Sequence, residues 1–357
     1  MNDLQLLRGM RSDVGSAPQA TLARGRKKLL SRIDAGTVGS GFGGAPEAVP
    51  DGGPRRKRVM ARRVLLASAA AAVLVGGIVV ADVVAPGGRP GATAEAAEVL
   101  NNAAANAIKT SDPTVKPGQY LKVDTKAVYG ATVSRANGTV VSWLETQDGQ
   151  VYVPADMSSE WVWNREARVP TTFFGKESKA EAERYVASLN GGAGPRLEGI
   201  IRGKGGAFYG SPQQILGSPL LDAIKTLPRE PRKLLDLIYE RTKGSGPTPE
   251  SEALITIADS LRTGVIPADL RAAMYKAAAL IPGVVVADKQ ATLDGRKGVA
   301  LGVYWADGKL RQDIIIDPAT GLMIGERTMH LAAMDGIPAN TATGWTSVKT
   351  SVVDSAP

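Results

Sequence analysis

The spacing of apolar residues changes along the chain, and each rhythm predicts a different element. In the first 35 residues the spacing is helical. Leu4, Leu7, Met10 and Val14 form one stripe, and Leu22, Leu29 and Ile33 form a second after Pro18, with Arg24, Arg26, Lys27, Lys28 and Arg32 on or near the other face. Two short amphipathic helices follow from this pattern. Helices below ~12–15 residues are marginal alone in water, so these need each other, a partner or a membrane surface. Leu4, Leu7, Met10, Leu22, Leu29 and Ile33 are therefore the candidate partner-binding residues. Residues 36–54 carry seven glycines with Pro46, Pro50 and Pro54, a flexible linker that leads into a basic flank ending at residue 63.

The next stretch has no period. Residues 64–81 contain no charge, and only Ser68 and two glycines interrupt them, directly after Arg55-Arg56-Lys57-Arg58 and Arg62-Arg63. A helix of that length covers ~27 Å, close to the ~30 Å hydrocarbon core of a bilayer. The expectation is one transmembrane helix over residues 64–85. Arg62 and Arg63 pin its start, and its apolar body is Val64, Leu65, Leu66, Val73, Leu74, Val75, Ile78, Val79 and Val80. Asp82 would then lie at the far interface, and Pro86-Gly87-Gly88 would end the helix. Because arginines accumulate on the retained side, the N-terminus is expected in the cytoplasm and everything after a short linker, residues 86–94, outside. Two readings compete. A buried Ala/Val helix of a soluble protein does not explain the basic cluster, and a signal peptide cut after Ala94 would need a far shorter leader than the 63 residues before the run. Ser68, Ala72 and Gly76 make a small-residue stripe of the kind that docks two spans, although an Ala-rich span produces such stripes by chance.

Beyond the run the rhythm alternates between helix and strand. Residues 95–109 read as an Ala-rich helix closed by Asp112-Pro113 and Pro117-Gly118. Leu121, Val123, Thr125 and Ala127 alternate with polar residues as in a half-wet strand. Asp148-Gly149 predicts a type I′ hairpin turn between strands 140–145 and 150–153, and Trp161 and Trp163 share one face of the next strand. Ser178 and Glu181 have capping-box spacing ahead of a helix over 182–189 that stops at Asn190-Gly191. Three helices that start at proline follow, over 231–243, 249–263 and 267–281. Strands return at 284–287, at 299–305, at 310–316 after Asp307-Gly308, at 322–329 after the turn from Asp317 to Gly321, and at 345–353. Hairpins rather than strand–helix–strand alternation imply α+β architecture: an exterior domain over 95–357 with a curved antiparallel sheet covered by helices.

Charge sharpens the membrane reading. The net charge of +8 resides in residues 1–63, with 13 Lys/Arg against 5 Asp/Glu, while the remainder carries 30 of each sign. A positive-inside cluster accounts for the excess, so no nucleic-acid partner is expected.

The absence of cysteine and the single histidine, His330, remove thiol nucleophiles, disulfides and the common zinc sets. Gly39, Gly41 and Gly44 match G-x-G-x-x-G without the flanking strand and helix that phosphate binding needs. Glu145 with Asp148, or Asp317 with Glu326, have the residue types of a glycosidase pair, but acids beside turns are ordinarily solvated. No enzyme and no cofactor is expected. Trp143, Trp161, Trp163 and Trp305 are the candidate lining of a groove for an acyl chain or glycan, the alternative being plain core.

Several motifs together carry a resemblance over nearly the whole length: Asp3-Leu4-Gln5-Leu6-Leu7-Arg8, the stretch 22–33, the basic span, Pro117-Gly118-Gln119-Tyr120, Leu227-Pro228, Ile281-Pro282-Gly283-Val284 and Asp317-Pro318-Ala319-Thr320-Gly321. The chain resembles an uncharacterised family of actinobacterial single-pass membrane proteins often encoded beside sigma-factor genes. Its exterior plan is similar to the half-open sheets of lipoprotein carriers and periplasmic sigma-factor regulators, a likeness of architecture. The resemblance implies a bitopic signalling or regulatory protein, anti-sigma-like, that couples an envelope-sensing exterior domain to a sigma factor or other cytoplasmic partner. It departs from zinc-associated anti-sigma proteins, since residues 1–63 lack His and Cys. The alternative is a membrane-anchored binding or carrier protein for a lipid or cell-wall precursor.

Overall fold

Hairpins dominate the architecture, as expected, but one of them is replaced by a fork. The computed structural model describes residues 82–85, 89–110, 112–135, 137–190, 198–305 and 307–357. The stripes in residues 1–35, the linker, the basic flank and the apolar run 64–81 lie outside the described residues.

Where the described chain begins, the sequence-based expectation needs correction. Asp82–Ala85 is a strand (β1) paired antiparallel with β2, Arg89–Thr93, rather than the end of a helix, and the expected 86–94 linker holds that second strand. Among the described residues no helix is long and apolar enough to cross a membrane.

The first helix, α1, runs Ala94–Lys109 and buries Leu100 and five alanines; Thr93 caps it by accepting the Ala96 amide at 3.4 Å. β3 (Tyr120–Ser134) is fifteen residues long and organises the sheet. Along one side it pairs with β15 (Thr341–Val353). On the other side its second half pairs with β4 (Val140–Thr146) and its first half with β5 (Gly149–Pro154). β4 and β5 therefore do not face each other across a turn. Both run antiparallel to β3, end to end, and the expected Asp148-Gly149 hairpin is absent because Gly149 does not take the positive φ that a type I′ turn requires.

From this break the sheet divides. β4 continues to β7 (Val169–Phe174), and β5 continues through β6 (Glu160–Arg165) to β8 (Gly199–Lys204). Across β15 lies the expected meander: β14 (Met323–His330), β13 (Leu310–Ile316), β12 (Arg296–Tyr304) and β11 (Val285–Leu293). The eleven strands are antiparallel throughout.

Helices cover one face of this sheet. α2 (Ser178–Asn190) packs on β4 and β7. Its expected capping box does not form: the Ser178 hydroxyl donates to the Gly175 carbonyl at 2.7 Å, and Glu181 instead binds Arg135 and Arg184. A two-strand hairpin, β9 (Gln214–Ile215) with β10 (Ser218–Pro219), leads into α3 (Leu220–Thr226), which the apolar spacing did not single out.

The three proline-started helices are present as α4 (Pro231–Arg241), α5 (Pro249–Arg262) and α6 (Ala268–Ala278). Their caps are specific. Glu230 accepts two amides at the start of α4, Thr248 and Ser251 form a capping box on α5, and Asp112 reaches across the fold to the Ala268 amide and to Arg271 of α6. One continuous core joins these helices to Leu301, Val303, Ile314, Ile316 and Met323 of the meander, while a smaller cluster of Ala291, Leu293, Ala300, Ile315 and Ile324 fills the opposite face.

Candidate functional site

At the fork, the side of β3 away from β15 loses its neighbouring strand for two residues, Lys126 and Ala127, and the local backbone is rescued by the residues in between. The Gln147 amide donates to the Ala127 carbonyl at 3.0 Å, and the Ala127 amide donates to the Asp148 carboxylate at 3.2 Å. This patch keeps a nearly buried backbone satisfied on the side facing away from β15, where no strand partner continues. A cleft of about 570 Å³ lies at this fork, between the sheet and the helices.

Alternation along each strand decides what enters the cleft. Val123, Thr125 and Tyr129 of β3, Val151 of β5, and Trp161, Trp163 and Arg165 of β6 line its sheet side. Gln213, Gln214, Ile215 and Leu220 form one helix-side wall; Asp259, Arg262 and Thr263 at the end of α5 form the other. The buried part of the lining is apolar (Trp161, Ile215 and Leu220), whereas Gln147, Asp148, Arg165, Arg168, Gln214, Asp259 and Arg262 are its more exposed, polar part.

The expected tryptophans separate into three settings. Trp161 and Trp163 line the cleft: Trp161 donates to the Met157 carbonyl at 2.8 Å, and Trp163 packs at a tilt of 50° on Phe208, ring centres 5.2 Å apart, and carries Arg165 over its ring at 4.8 Å. Trp143 is buried beside Tyr185 of α2 and donates to Glu145 at 2.7 Å, so it is core adjoining the site. Trp305 follows β12 at the turn into β13 and is not among the residues lining the cleft.

The acidic pairs do not form reacting dyads. Glu145 is fully buried against Trp143, with Arg168 at 3.6 Å from its second oxygen, and Asp148 serves the fork. Asp317 ties its own turn through the Ala319 amide and Thr320 hydroxyl, while Glu326 lies on β14. His330 ends β14, and burial pushes its imidazole below the usual range, with Asp335 opposing. No group of three or more potential metal ligands occurs among the described residues.

One buried ionic group beside the cleft was not anticipated. Glu326 accepts from Gln312 at 3.1 Å and meets Arg262 of α5 at 3.2 Å; Arg262 also pairs with Asp259 at 2.5 Å. Burial pushes the Glu326 carboxyl up to about 7, Arg262 pulling against it and Asp259 adding to it. The other residues missed by pattern reading are Gln147, Arg165 and Arg168. Arg165 had a signal, since it lies two and four positions from Trp163 and Trp161 on one strand face. Gln147 and Arg168 reach the site only through the fork, a long-range feature without a local signature.

No family model and no curated protein matches the chain. A crystal structure of a DUF1329 family protein from Desulfovibrio piger aligns over 72% of this chain and 92% of its own, at 9% identity and a TM-score of 0.18, a likeness too weak to carry an argument.

Proposed function

We propose that the chain is a membrane-anchored protein whose exterior domain binds an amphipathic envelope ligand in the fork cleft. The carrying observation is the cleft itself. Its volume lies within the ~300–1,000 Å³ typical of small-molecule sites, and its buried lining, Trp161, Ile215 and Leu220, is apolar while its more exposed lining is charged. That division suits a lipid or a lipid-linked wall precursor better than a free sugar. The uncharged run 64–81 behind six basic residues supports the anchor and the orientation, with the N-terminus in the cytoplasm. The reading involves no chemical step.

Native mass spectrometry of the full-length chain extracted from its host membranes tests this. A bound amphiphile that is lost on Ile215→Arg supports the proposal, and a uniformly empty protein opposes it.

A second reading adds a regulatory output, motivated by the two apolar stripes in residues 1–35, which need a partner to persist as helices. On this reading the cleft senses and the cytoplasmic helices engage a sigma factor through a zinc-free surface. Affinity capture of the full-length chain that enriches no polymerase component would remove the regulatory part and leave the binding part standing.

A further inference from the structure

The mouth of the cleft gathers two cations around a neutral atom. Arg165 Nη2 and Arg168 Nε both donate to Gln147 Oε1, at 3.3 and 3.2 Å, so the two guanidinium groups converge on a single amide oxygen. Each is held in place by a ring: Arg165 lies over Trp163 at 4.8 Å and Arg168 over Tyr129 at 5.0 Å. Arg165 also donates to the Tyr209 hydroxyl at 3.0 Å. The acceptor is fixed too, because Gln147 Nε2 donates to the Glu166 carbonyl at 3.0 Å.

Carboxylates neutralise this pair only in part, through the fully buried Glu145 beside Arg168. Among the described residues Arg165 has no ion-pair partner, and Arg168 reaches only Glu145, at 3.6 Å, beyond the ~2.7–2.9 Å of a charge-assisted bond. Asp148 is engaged by the Ala127 amide, and Asp259 by Arg262. An amide oxygen is a weak partner for two guanidinium groups, whereas an oxyanion with two or three oxygens suits their planar forks. The ring contacts leave the Gln147 oxygen as the one acceptor an anion must displace from Arg165 Nη2 and Arg168 Nε, and the ordering of both side chains is already done.

We infer that the cleft mouth is an oxyanion site: Arg165 and Arg168 hold the phosphate or carboxylate end of an amphiphile whose apolar part lies against Val151, Trp161 and Leu220. The inference rests on the cleft reading above and adds the chemical class of its ligand. Gln147 keeps the two arginines aligned and yields its place when the anion arrives.

The test is displacement of a neutral fluorophore, 1-aminoanthracene, from the full-length chain in a constant nonionic detergent background. Dodecyl phosphate, dodecanoate and dodecanol are the competitors. Both anions are expected to compete about ten-fold or more better than the alcohol, and about 1 M salt to shrink that ratio. Inorganic phosphate should weaken dodecyl phosphate and leave dodecanol unchanged. Preference for one anion over the other names the source of the oxyanion. Arg165→Gln with Arg168→Gln should bring all three competitors together, and the double Lys variant, which keeps the charges without the forks, should retain a reduced preference. Equal competition by the three in the unaltered chain, insensitive to salt, overturns the oxyanion site but leaves the cleft standing. Failure of the fluorophore and every amphiphile to bind overturns the cleft reading as well.

Discussion

The amide of Ala92 donates to the carbonyl of Ala279 at 3.1 Å, and the next amide, Thr93, donates to Val284 at 2.9 Å. Ala92 itself is fully buried. The chain just beyond the apolar run is thus stitched into the end of α6 and the approach to β11. Cleavage after Ala94 would remove both bonds and the α1 cap, each worth about 1 kcal/mol, and would open the core at Ala92. Intact-mass measurement of protein from host membranes is expected to find no mature chain beginning at Glu95; finding one as the main species would contradict this.

Gly321 explains why the turn starting at Asp317 matters. Its φ is +69°, and an added Cβ would meet the α1 backbone, the Ala103 oxygen and the Ala107 nitrogen, inside contact distance. Asn106 donates to the Pro318 carbonyl at 2.8 Å, and Thr110 donates to the Thr320 carbonyl at 3.0 Å, so the turn is a clasp on α1. Gly321→Ala is expected to destabilise the domain by at least ~2 kcal/mol, combining left-handed strain with an unrelieved backbone overlap. Urea unfolding measures it; a loss below ~0.5 kcal/mol would mean the clasp is dispensable.

Glu326 makes stability depend on pH in a defined direction. Its folded value of about 7 lies above its ordinary 4.5, so the folded state takes up the proton more readily. The contribution is present at low pH and is lost as pH rises from about 4.5 through 7. Glu326→Gln, which cannot ionise, should therefore gain relative to the unaltered chain between pH 5 and pH 8, by at most about 3 kcal/mol. Parallel melting curves at the two pH values check this, and a constant or shrinking difference would contradict it.

The absence of cysteine offers a clean topology test. Ser355→Cys, at an exposed position, should react with an impermeant maleimide on intact cells. Ser16→Cys should react only after permeabilisation. Labelling of both or neither before permeabilisation would refute the proposed crossing by residues 64–81.

Local rhythm revealed most of the elements and little of the site. The proline-started helices and the 299–329 meander were legible because amphipathic period, proline starts and turn residues agree there. Asp148-Gly149 misled because the same dipeptide serves a strand break as readily as a hairpin, and which one forms depends on β3, some twenty residues earlier. Helix α3 is only seven residues long, too short for periodicity to register. Trp161 and Trp163 could be placed on one face from sequence, but their meeting with Leu220 and Arg168 is set by tertiary packing. The buried Asp313, bound by Arg311 at 2.6 Å and Arg327 at 2.9 Å, shows the same limit: Gly302 opposite it vacates the space a side chain would fill, and no local pattern announces that.

The most direct test of ligand binding in the fork is photo-crosslinking of the full-length chain in its own membranes with a diazirine-bearing fatty acid, followed by peptide mapping. The account expects adducts concentrated in residues 147–168 and 213–220 and depleted by Ile215→Arg. Adducts spread over the outer face of the β11–β14 meander, with none in those two segments, would contradict it.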